Sequence, residues 1–243
     1  MLKIKNLSKY FGGIKAVDNC SFEIQKGKIT ALIGPNGSGK STLFNLVAGV
    51  LKLDKGNIFL DGEDITNISI SKRVNRGISR IFQKSRLFGN LTIKENMFLA
   101  LETEDTKFWK SFFSRNKIHK EKEINEALSL VKMDIHMNQL ARNLSYGQKR
   151  LVEVVRSILM PHKILMLDEP LAGVAPALRK ELSDLFLKLK EKKETIFIIE
   201  HDMNFVLNIA DEVVVMDEGK VIAQGKPVII KKNKKVLQAY FGE

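Results

Sequence analysis

Cysteine, tryptophan and long apolar runs are scarce or missing in this chain. Cys20 is the only cysteine among 243 residues, so no disulfide can form within the chain and nothing indicates an oxidising compartment. No apolar run approaches the ~20 residues that cross a bilayer, and the first ten residues, MLKIKNLSKY, lack the apolar segment of a signal peptide. We therefore expect a cytoplasmic protein.

Acidic residues are also fewer than basic ones. The chain has 28 Asp and Glu against 40 Lys and Arg, which gives a net charge of +12. Such an excess suits nucleic acid or an anionic membrane face. The basic residues are nevertheless spread along the chain, with one short run, KKNKK, at 231–235. This spread is typical of a solvated surface, and we expect no specific nucleic-acid partner.

The most informative stretch is residues 34–42, which follow an apolar strand-like run and lead into a helix-like one closed at Gly49. It contains, in order, Gly34, Pro35, Asn36, Gly37, Ser38, Gly39, Lys40, Ser41 and Thr42. This is a G-x-x-x-x-G-K-[ST] pattern, whose glycines let backbone N–H groups converge on phosphate at a helix N-terminus. Lys40 can reach the β- and γ-phosphates of a nucleotide, and the Ser41 hydroxyl can bind Mg²⁺. The stretch therefore predicts a phosphate-binding loop.

Three further apolar runs end in polar residues. Residues 78–82 lead to Gln83, residues 164–167 lead to Asp168 and Glu169, and residues 195–199 lead to Glu200 and His201. Open α/β sheets bind ligands at the carboxyl ends of their strands, so we expect these side chains near the phosphate loop.

Each of these polar side chains suits one part of phosphate hydrolysis. Asp168 suits Mg²⁺, directly or through water, and Glu169 suits a general base or a group that polarises water. His201 could contact the γ-phosphate, and Gln83 could sense the metal and the water. Alone, Gln83 and His201 would be ordinary surface residues, but their positions at strand ends favour a functional role.

Two capping boxes mark helix starts in the middle of the chain. Thr92 with Glu95 opens a helix that we expect to run through Leu101, and Ser145 with Gln148 opens another within the sequence LSYGQ. A well-capped helix is one explanation of LSYGQ. The other is an anion site, because Gly147 costs helix stability and leaves N–H groups accessible at the dipole end.

Two aromatic features allow alternatives. Phe11, just before a Gly-Gly turn, could stack on a nucleotide base or be an ordinary residue at a strand end. Residues 102–117 carry the only tryptophan, Trp109, among basic and aromatic residues. This segment is interpreted either as a contact surface for a partner or membrane, or as a local apolar plug in a helical insertion.

Taken together, these motifs resemble those of the ATP-binding subunits of ABC transporters over essentially the whole chain. GPNGSGKST is similar to the Walker A motif, Gln83 to the Q-loop, LSYGQ to the signature, ILMLDE to the Walker B motif, and His201 to the switch histidine. Phe11 matches the adenine-stacking aromatic. The resemblance implies ATP and Mg²⁺ as ligands, with Ser41, Gln83 and Asp168 on the metal.

The family fold that the resemblance implies is α/β. It has a P-loop (RecA-like) ATPase core with an N-terminal antiparallel β subdomain, at residues 1–86 and 161–243. A helical insertion subdomain at about 87–160 carries the signature motif. We expect residues 1–243 to form a single ABC ATPase domain of this kind.

Partners follow from the same resemblance. Such subunits pair head to tail, so Ser145, Gly147 and Gln148 are expected to contact ATP held by another chain, in a homodimer or in a heterodimer with a related subunit. An integral membrane permease and, indirectly, a solute-binding protein are also implied, with the chain peripheral on the inner face of the cell membrane.

Finer features resemble the ATPase subunits of branched-chain amino-acid importers. They are SKYFGGIKAVDNCSFEI, the stretch at 87–92, LSYGQ, EHDMNFV and AYFGE. Tyr146 replaces the glycine of LSGGQ, a variation associated with that branch. Ala175 stands where the D-loop usually has Asp or Asn, which puts communication between the two ATP sites in doubt.

Two other functions remain open at the level of sequence. Lipid or lipopolysaccharide export ATPases share the EHDM-type ending. Nucleic-acid-associated ABC ATPases would suit the basic charge, but they usually have a coiled-coil insertion or tandem cassettes, and this chain has neither.

Overall fold

A computed structural model describes residues 1–81, 87–101 and 117–241 of the chain. Two predicted features, Gln83 and the segment around Trp109, lie outside these residues. The chain divides into two compact units. The first unit contains residues 1–80, 163–169 and 189–243, and the second contains residues 81–162 and 170–188.

The secondary structure alternates between strands and helices after an all-β start. The strands are β1 Leu2–Phe11, β2 Ile14–Ile24, β3 Ile29–Ile33, β4 Lys55–Leu60, β5 Glu63–Asp64, β6 Ile78–Ile81, β7 Ile164–Asp168, β8 Ile196–Ile199, β9 Glu212–Asp217 and β10 Lys220–Gly225. The helices of the described residues are α1 Lys40–Ala48, α2 Ile70–Asn75, α3 Ile93–Leu101, α4 Lys117–Ser129, α5 Tyr146–Leu159, α6 Pro176–Glu191, α7 Met203–Ile209, α8 Pro227–Ile230 and α9 Lys234–Phe241.

The first unit contains an antiparallel sheet in the order β2-β1-β4-β5. In β1 the apolar side chains Leu2 and Ile4 are buried, whereas Lys3 and Lys5 between them are exposed, as period-two alternation requires. β1 pairs antiparallel with β2 across a turn at 12–13. The predicted N-terminal antiparallel β subdomain is therefore confirmed.

A second sheet has the order β10-β9-β3-β8-β7-β6. Strand β3 is parallel to β8 and β9, β7 is parallel to β8, and β9 forms an antiparallel hairpin with β10. Every residue of β3, β7 and β8 is buried, as expected for parallel strands covered on both faces. The carboxyl ends of these three neighbouring strands consequently meet at one edge of the sheet.

Helix α1 packs into an apolar core that includes residues of both sheets. Phe44 of α1 lies against Phe197 of β8 with ring centroids 5.3 Å apart, and Phe22 of β2 lies 5.9 Å from Phe197. Cys20 is fully buried in the same core, and burial raises its thiol pKa to about 11. The cysteine therefore behaves as a small buried hydrophobe.

The far end of α1 is held by Arg73, which is 2% exposed. Its guanidinium donates to the carbonyl oxygens of Leu46 (2.8 Å), Val47 (2.6 Å) and Thr66 (2.8 Å). Gly49 adds a left-handed cap whose N–H donates to the carbonyls of the last turn. Helix α1 is thus fixed at its C-terminal end.

The second unit is mainly helical in its described part, with α3, α4 and α5 in contact with one another. The capping box at the start of α3 is present: Glu95 accepts from the Thr92 N–H at 2.7 Å, and the Thr92 hydroxyl accepts from the Glu95 N–H at 3.1 Å. Lys94 and Glu121 join α3 to α4 at 2.8 Å. Within the described ranges, no helix has the length and hydropathy needed to cross a membrane.

Candidate nucleotide-binding site

The loop at 34–42 connects β3 to α1 at the edge where the parallel strands end. Gly39 is the N-cap of α1 with φ 97°, and no side chain of the described residues caps this helix. A Cβ at Gly39 would lie 2.1 Å from the Ala16 carbonyl oxygen. Only glycine fits there, and the N–H groups of the first turn are left for a ligand.

Lys40 is drawn into the loop that precedes it. Its side chain is 5% exposed, and its ammonium donates to the carbonyls of Gly34 and Pro35, each at 2.8 Å. Burial lowers the pKa of this ammonium, and the Glu169 carboxylate opposes that shift. The loop thus holds a positive charge close to the amides that can bind an anion.

Glu169 and His201 leave the ends of β7 and β8 and meet. His201 Nε2 donates to Glu169 Oε1 at 2.5 Å; the ring nitrogen is the donor because an ionised carboxylate only accepts. Glu169 has φ 47°, a left-handed conformation that is uncommon for a residue with a side chain. Such strained backbone is often found at functional sites, and here it places a carboxylate at the strand edge.

Asp168 has a different environment from its neighbour Glu169. It is 6% exposed, and its carboxylate pairs with the guanidinium of Arg80 at 3.5 Å. Arg80 also donates to Asn45 Oδ1 at 2.6 Å, and its guanidinium lies 5.0 Å from the ring centroid of Phe44. Arg80 thereby ties β6, β7 and α1 together, a role that the sequence did not indicate.

These elements surround a cavity of about 460 Å³, a size typical of small-ligand sites. The predicted site residues that line it are Asn36, Gly37, Gly39, Lys40, Ser41, Thr42, Glu169 and His201. Gly34, Pro35 and Ser38 instead accept hydrogen bonds from the Lys40 ammonium. Asp168 and Phe11 are not part of the lining; Phe11 is 44% exposed, with Lys9 Nζ 5.4 Å from its ring centroid.

One wall of this cavity consists of residues that no sequence motif indicated. It is formed by residues 14–16 at the start of β2 and by Glu218 and Gly219 in the β9–β10 turn. The Gly219 N–H donates to the Ser38 carbonyl at 3.1 Å, which fastens the turn to the loop. The turn is visible in the sequence as Asp-Glu-Gly, but no local signal shows that it faces a loop some 180 positions away.

The predicted signature residues lie in the second unit, at the start of α5. Ser145 and Gln148 form the expected capping box: Gln148 N–H donates to Ser145 Oγ at 3.3 Å, and Ser145 N–H donates to Gln148 Oε1 at 3.0 Å. The N–H groups of Tyr146 and Gly147 take no part in it. Gly147 is buried, and a Cβ there would lie 3.0 Å from Leu178 Cδ1, a packing requirement that the sequence did not indicate.

Comparison with known proteins identifies the family. A family model described as ABC transporter matches residues 17–172. The probable branched-chain amino acid transport ATP-binding protein LivG of Archaeoglobus fulgidus is 38% identical, and the match covers 100% of this chain and 95% of LivG. The high-affinity branched-chain amino acid transport ATP-binding protein BraF of Pseudomonas aeruginosa is 36% identical, covering 100% of this chain and 98% of BraF.

A solved structure agrees with these relatives. The ADP conformation of MJ1267, an ATP-binding cassette of an ABC transporter, superimposes with a TM-score of 0.84 at 36% identity, covering 100% of this chain and 99% of that one. The predicted α/β cassette fold is therefore confirmed. This chain belongs to the ABC transporter family and is one of its ATP-hydrolysing, ATP-binding subunits.

Proposed function

We propose that this chain is the energy-coupling subunit of an ABC importer for branched-chain or other hydrophobic amino acids. The observation that carries the ATPase part is the convergence of Lys40, Glu169 and His201 on one cavity at the edge of the parallel strands. The names of relatives that match the whole chain, LivG and BraF, support the import of branched-chain amino acids.

The phosphate loop would hold the β- and γ-phosphates of ATP. The open N-terminus of α1 supplies N–H donors and the positive end of the helix dipole, and Lys40 supplies charge. Phe11 is 44% exposed, and we assign it to stacking on the adenine.

Ser41 and Asp168 offer oxygen donors of the kind that Mg²⁺ prefers. The Ser41 hydroxyl lines the cavity, and the Asp168 carboxylate, held by Arg80, ends β7. Mg²⁺ prefers oxygen ligands and usually takes one or two carboxylates with phosphate and water oxygens. We assign Ser41, Asp168 and Gln83 to it, and when bound it would neutralise charge on the phosphates.

Hydrolysis requires a water molecule oriented toward the γ-phosphate. In our assignment the Glu169 carboxylate accepts a hydrogen bond from that water and then its proton, while the water oxygen bonds to phosphorus and ADP leaves. The His201 ring steadies Glu169 through the 2.5 Å hydrogen bond and lies at the same cavity, where its N–H can turn to the γ-phosphate. Lys40 stabilises the charge that develops on the phosphate oxygens.

The remaining site residues would act on the ATP of a paired subunit. Ser145, Gly147 and Gln148 begin α5, whose N-terminal dipole end favours an anion. We propose that they close over ATP bound by the phosphate loop of a second chain, either a copy of this one or a related subunit. In this assignment residues 87–160 form the helical subdomain, and residues 1–86 and 161–243 form the core. Residues 170–188 are part of that core by this assignment, but they belong to the same compact unit as residues 81–162.

The assembled transporter would place this chain against the inner face of the cell membrane. An integral membrane permease would be its direct partner, and a solute-binding protein would supply the amino acid to that permease. ATP-driven closure of the paired subunits would then power the permease.

Uptake and capture together test this proposal. Cells carrying the parental chain should take up labelled leucine, isoleucine or valine, and cells carrying Glu169→Gln should not. Capture of tagged Glu169→Gln protein with Mg-ATP from native membranes should yield a permease and a solute-binding protein for these amino acids. Recovery of lipid-handling partners, or of ribosomes or DNA without any membrane protein, would overturn it.

A further inference from the structure

The first turn of α5 packs against the segment that follows Glu169 in the chain. In the second unit, Tyr146 lies directly over Gly173: a Cβ built on Gly173 would lie 2.3 Å from Tyr146 Cε1 and 2.8 Å from Cδ1. Gly173 has φ +71°, a conformation that favours glycine. The glycine therefore provides both the turn and the space for the tyrosine ring.

Two neighbouring contacts extend this packing. The Gly147 Cα faces Leu178, and the backbone of residues 174–175 lies 3.9 Å from the position of a Cβ on Gly147. Arg150, which is 3% exposed, donates to the Pro170 carbonyl at 3.4 Å and pairs with Glu153. The turn at 170–175 thus contacts the first two turns of α5 at three points.

The turn is closed by one backbone hydrogen bond and by the side chain of Arg179. The Val174 N–H donates to the Leu171 carbonyl at 3.0 Å, and Arg179 Nε donates to the Val174 carbonyl at 3.2 Å. Leu171 and Val174 are buried, whereas Ala175, at the end of the turn, offers no polar side chain. Any displacement of the turn against α5 must therefore disturb the ring of Tyr146 on Gly173.

We propose that Tyr146 is a positioning residue that couples the first turn of α5, which carries the signature residues, to the turn at 170–175, which follows Glu169. The coupling is made by packing of the Tyr146 ring on Gly173. The inference rests on the proposed function, because Ser145 and Gly147 have a ligand only if paired chains bind ATP. When the γ-phosphate binds the signature residues, a displacement of the first turn of α5 reaches residues 170–175 through the Tyr146 ring. It then reaches Glu169, because Pro170 is bonded directly to Glu169. In this chain the tyrosine of LSYGQ and the glycine of the turn form a matched pair.

The contact involves the ring carbons, and this makes a sharp test possible. Tyr146→Phe keeps the ring and removes only the hydroxyl, whereas Tyr146→Ala removes the contact. Tyr146 is 56% exposed, so neither variant opens a cavity in the core. Gly173→Ala should push the exposed ring away, since an added Cβ cannot coexist with it at 2.3 Å.

The test compares ATP hydrolysis and ATP binding by the purified full chain and these variants. Tyr146→Phe should keep kcat within about 2-fold of the parental value, consistent with a role for the ring alone. Tyr146→Ala and Gly173→Ala should each lower kcat about 10-fold with binding of ATP to the isolated chain unchanged, because the phosphate loop is untouched. The double variant should be no slower than Gly173→Ala, since both changes break one contact.

Three results would overturn the inference. They are a parental kcat for Tyr146→Ala, a loss in Tyr146→Phe equal to that in Tyr146→Ala, or multiplicative losses in the double variant. Failure of the proposed function gives a different result. If the chains do not pair over ATP, the parental chain binds ATP without hydrolysing it, and if the transporter does not import amino acids, hydrolysis persists while uptake is absent.

Discussion

The two helices that begin at the predicted ATP contacts, α1 and α5, start in opposite ways. Helix α1 begins at Gly39 in a left-handed conformation and has no side-chain cap among the described residues. Helix α5 begins at Ser145 with a complete capping box. A capping box satisfies N–H donors within the chain, whereas an uncapped start leaves them for a ligand. The difference indicates which helix is built to hold phosphate by its amides.

The opposite ends of the same helices complete the comparison. Helix α1 is secured at its C-terminus by Gly49 and by Arg73, whereas α5 ends in an extended residue, Met160. Helix α1 has no side-chain cap at its N-terminus among the described residues, and the contacts of Gly49 and Arg73 stabilise its C-terminus instead. In helix α5 the capping box occupies the N–H groups of Ser145 and Gln148. A ligand at this end could therefore bind only to the other N–H groups of the first turn and to the Ser145 hydroxyl.

The largest expected effect on stability comes from Arg73→Met. This change leaves the carbonyls of Val47 and Thr66 without the guanidinium donor, at about 1–3 kcal/mol for each unsatisfied group, whereas the Leu46 carbonyl keeps the Gly49 N–H. We expect the free energy of unfolding to fall by about 3–5 kcal/mol in urea titrations. Arg76→Met is the control, because Arg76 is exposed and its pair with Glu63 is worth less than about 1 kcal/mol. Equal losses would mean that α1 is not held at this end.

Lys40→Ala should abolish tight binding of ATP. The change removes the charge that the open start of α1 places beside the phosphates, and charge-assisted hydrogen bonds are worth about 1.5–3 kcal/mol each. We expect ATP affinity, measured by calorimetry, to fall by about 100-fold or more. Lys149→Ala is the matched control, since Lys149 follows the capped start of α5 and should leave affinity within about 3-fold. An unchanged dissociation constant for Lys40→Ala would contradict the phosphate-loop assignment.

Substitution of two glycines of the loop distinguishes the effect of backbone strain from the effect of a steric clash. Gly37 and Gly39 both have positive φ, but a Cβ on Gly37 meets nothing within 4 Å, whereas one on Gly39 lies 2.1 Å from the Ala16 carbonyl. Gly37→Ala should therefore lower the free energy of unfolding only by the backbone strain of a left-handed alanine, about 1–2 kcal/mol. Gly39→Ala should lower the unfolding temperature further and weaken ATP binding. If the two variants show equal decreases in unfolding temperature and in ATP affinity, contact with the start of β2 does not shape the loop.

The smallest effect is expected at the capped helix. Ser145→Ala removes the hydroxyl that accepts from Gln148 N–H, which should cost about 1 kcal/mol of unfolding free energy. It should also slow ATP hydrolysis, because Ser145 is assigned to the ATP of a paired chain. Ser69→Ala removes a similar N-cap from α2, where the hydrogen bond is 3.5 Å, and should leave hydrolysis unchanged. Equal hydrolysis rates in the two variants would mean that Ser145 only caps the helix and does not act on ATP.

The local parts of this comparison could be predicted from the sequence. Both capping boxes, the buried strands and the glycine-rich loop are encoded within a few neighbouring residues, so periodicity and turn chemistry identify them. The placement of Glu169 and His201 at one edge followed from the rule on parallel strands.

The long-range contacts could not be predicted in this way. Arg80 pairs with a carboxylate 88 positions away, Arg73 caps a helix that ends 25 positions before it, and the Glu218 turn faces the loop across most of the chain. None of these contacts leaves a local pattern, because each depends on how the sheets and helices are arranged.

The most direct test of the account is the rate of ATP hydrolysis by Glu169→Gln, with Glu218→Gln as the control. Both carboxylates line the cavity, but only Glu169 contacts His201. Loss of a general base costs about 10²–10⁴-fold in rate, so Glu169→Gln should bind ATP with parental affinity and hydrolyse it at least about 100-fold more slowly. Glu218→Gln should stay within about 3-fold of the parental rate. A parental rate for Glu169→Gln, or an equal loss in both variants, would contradict the account.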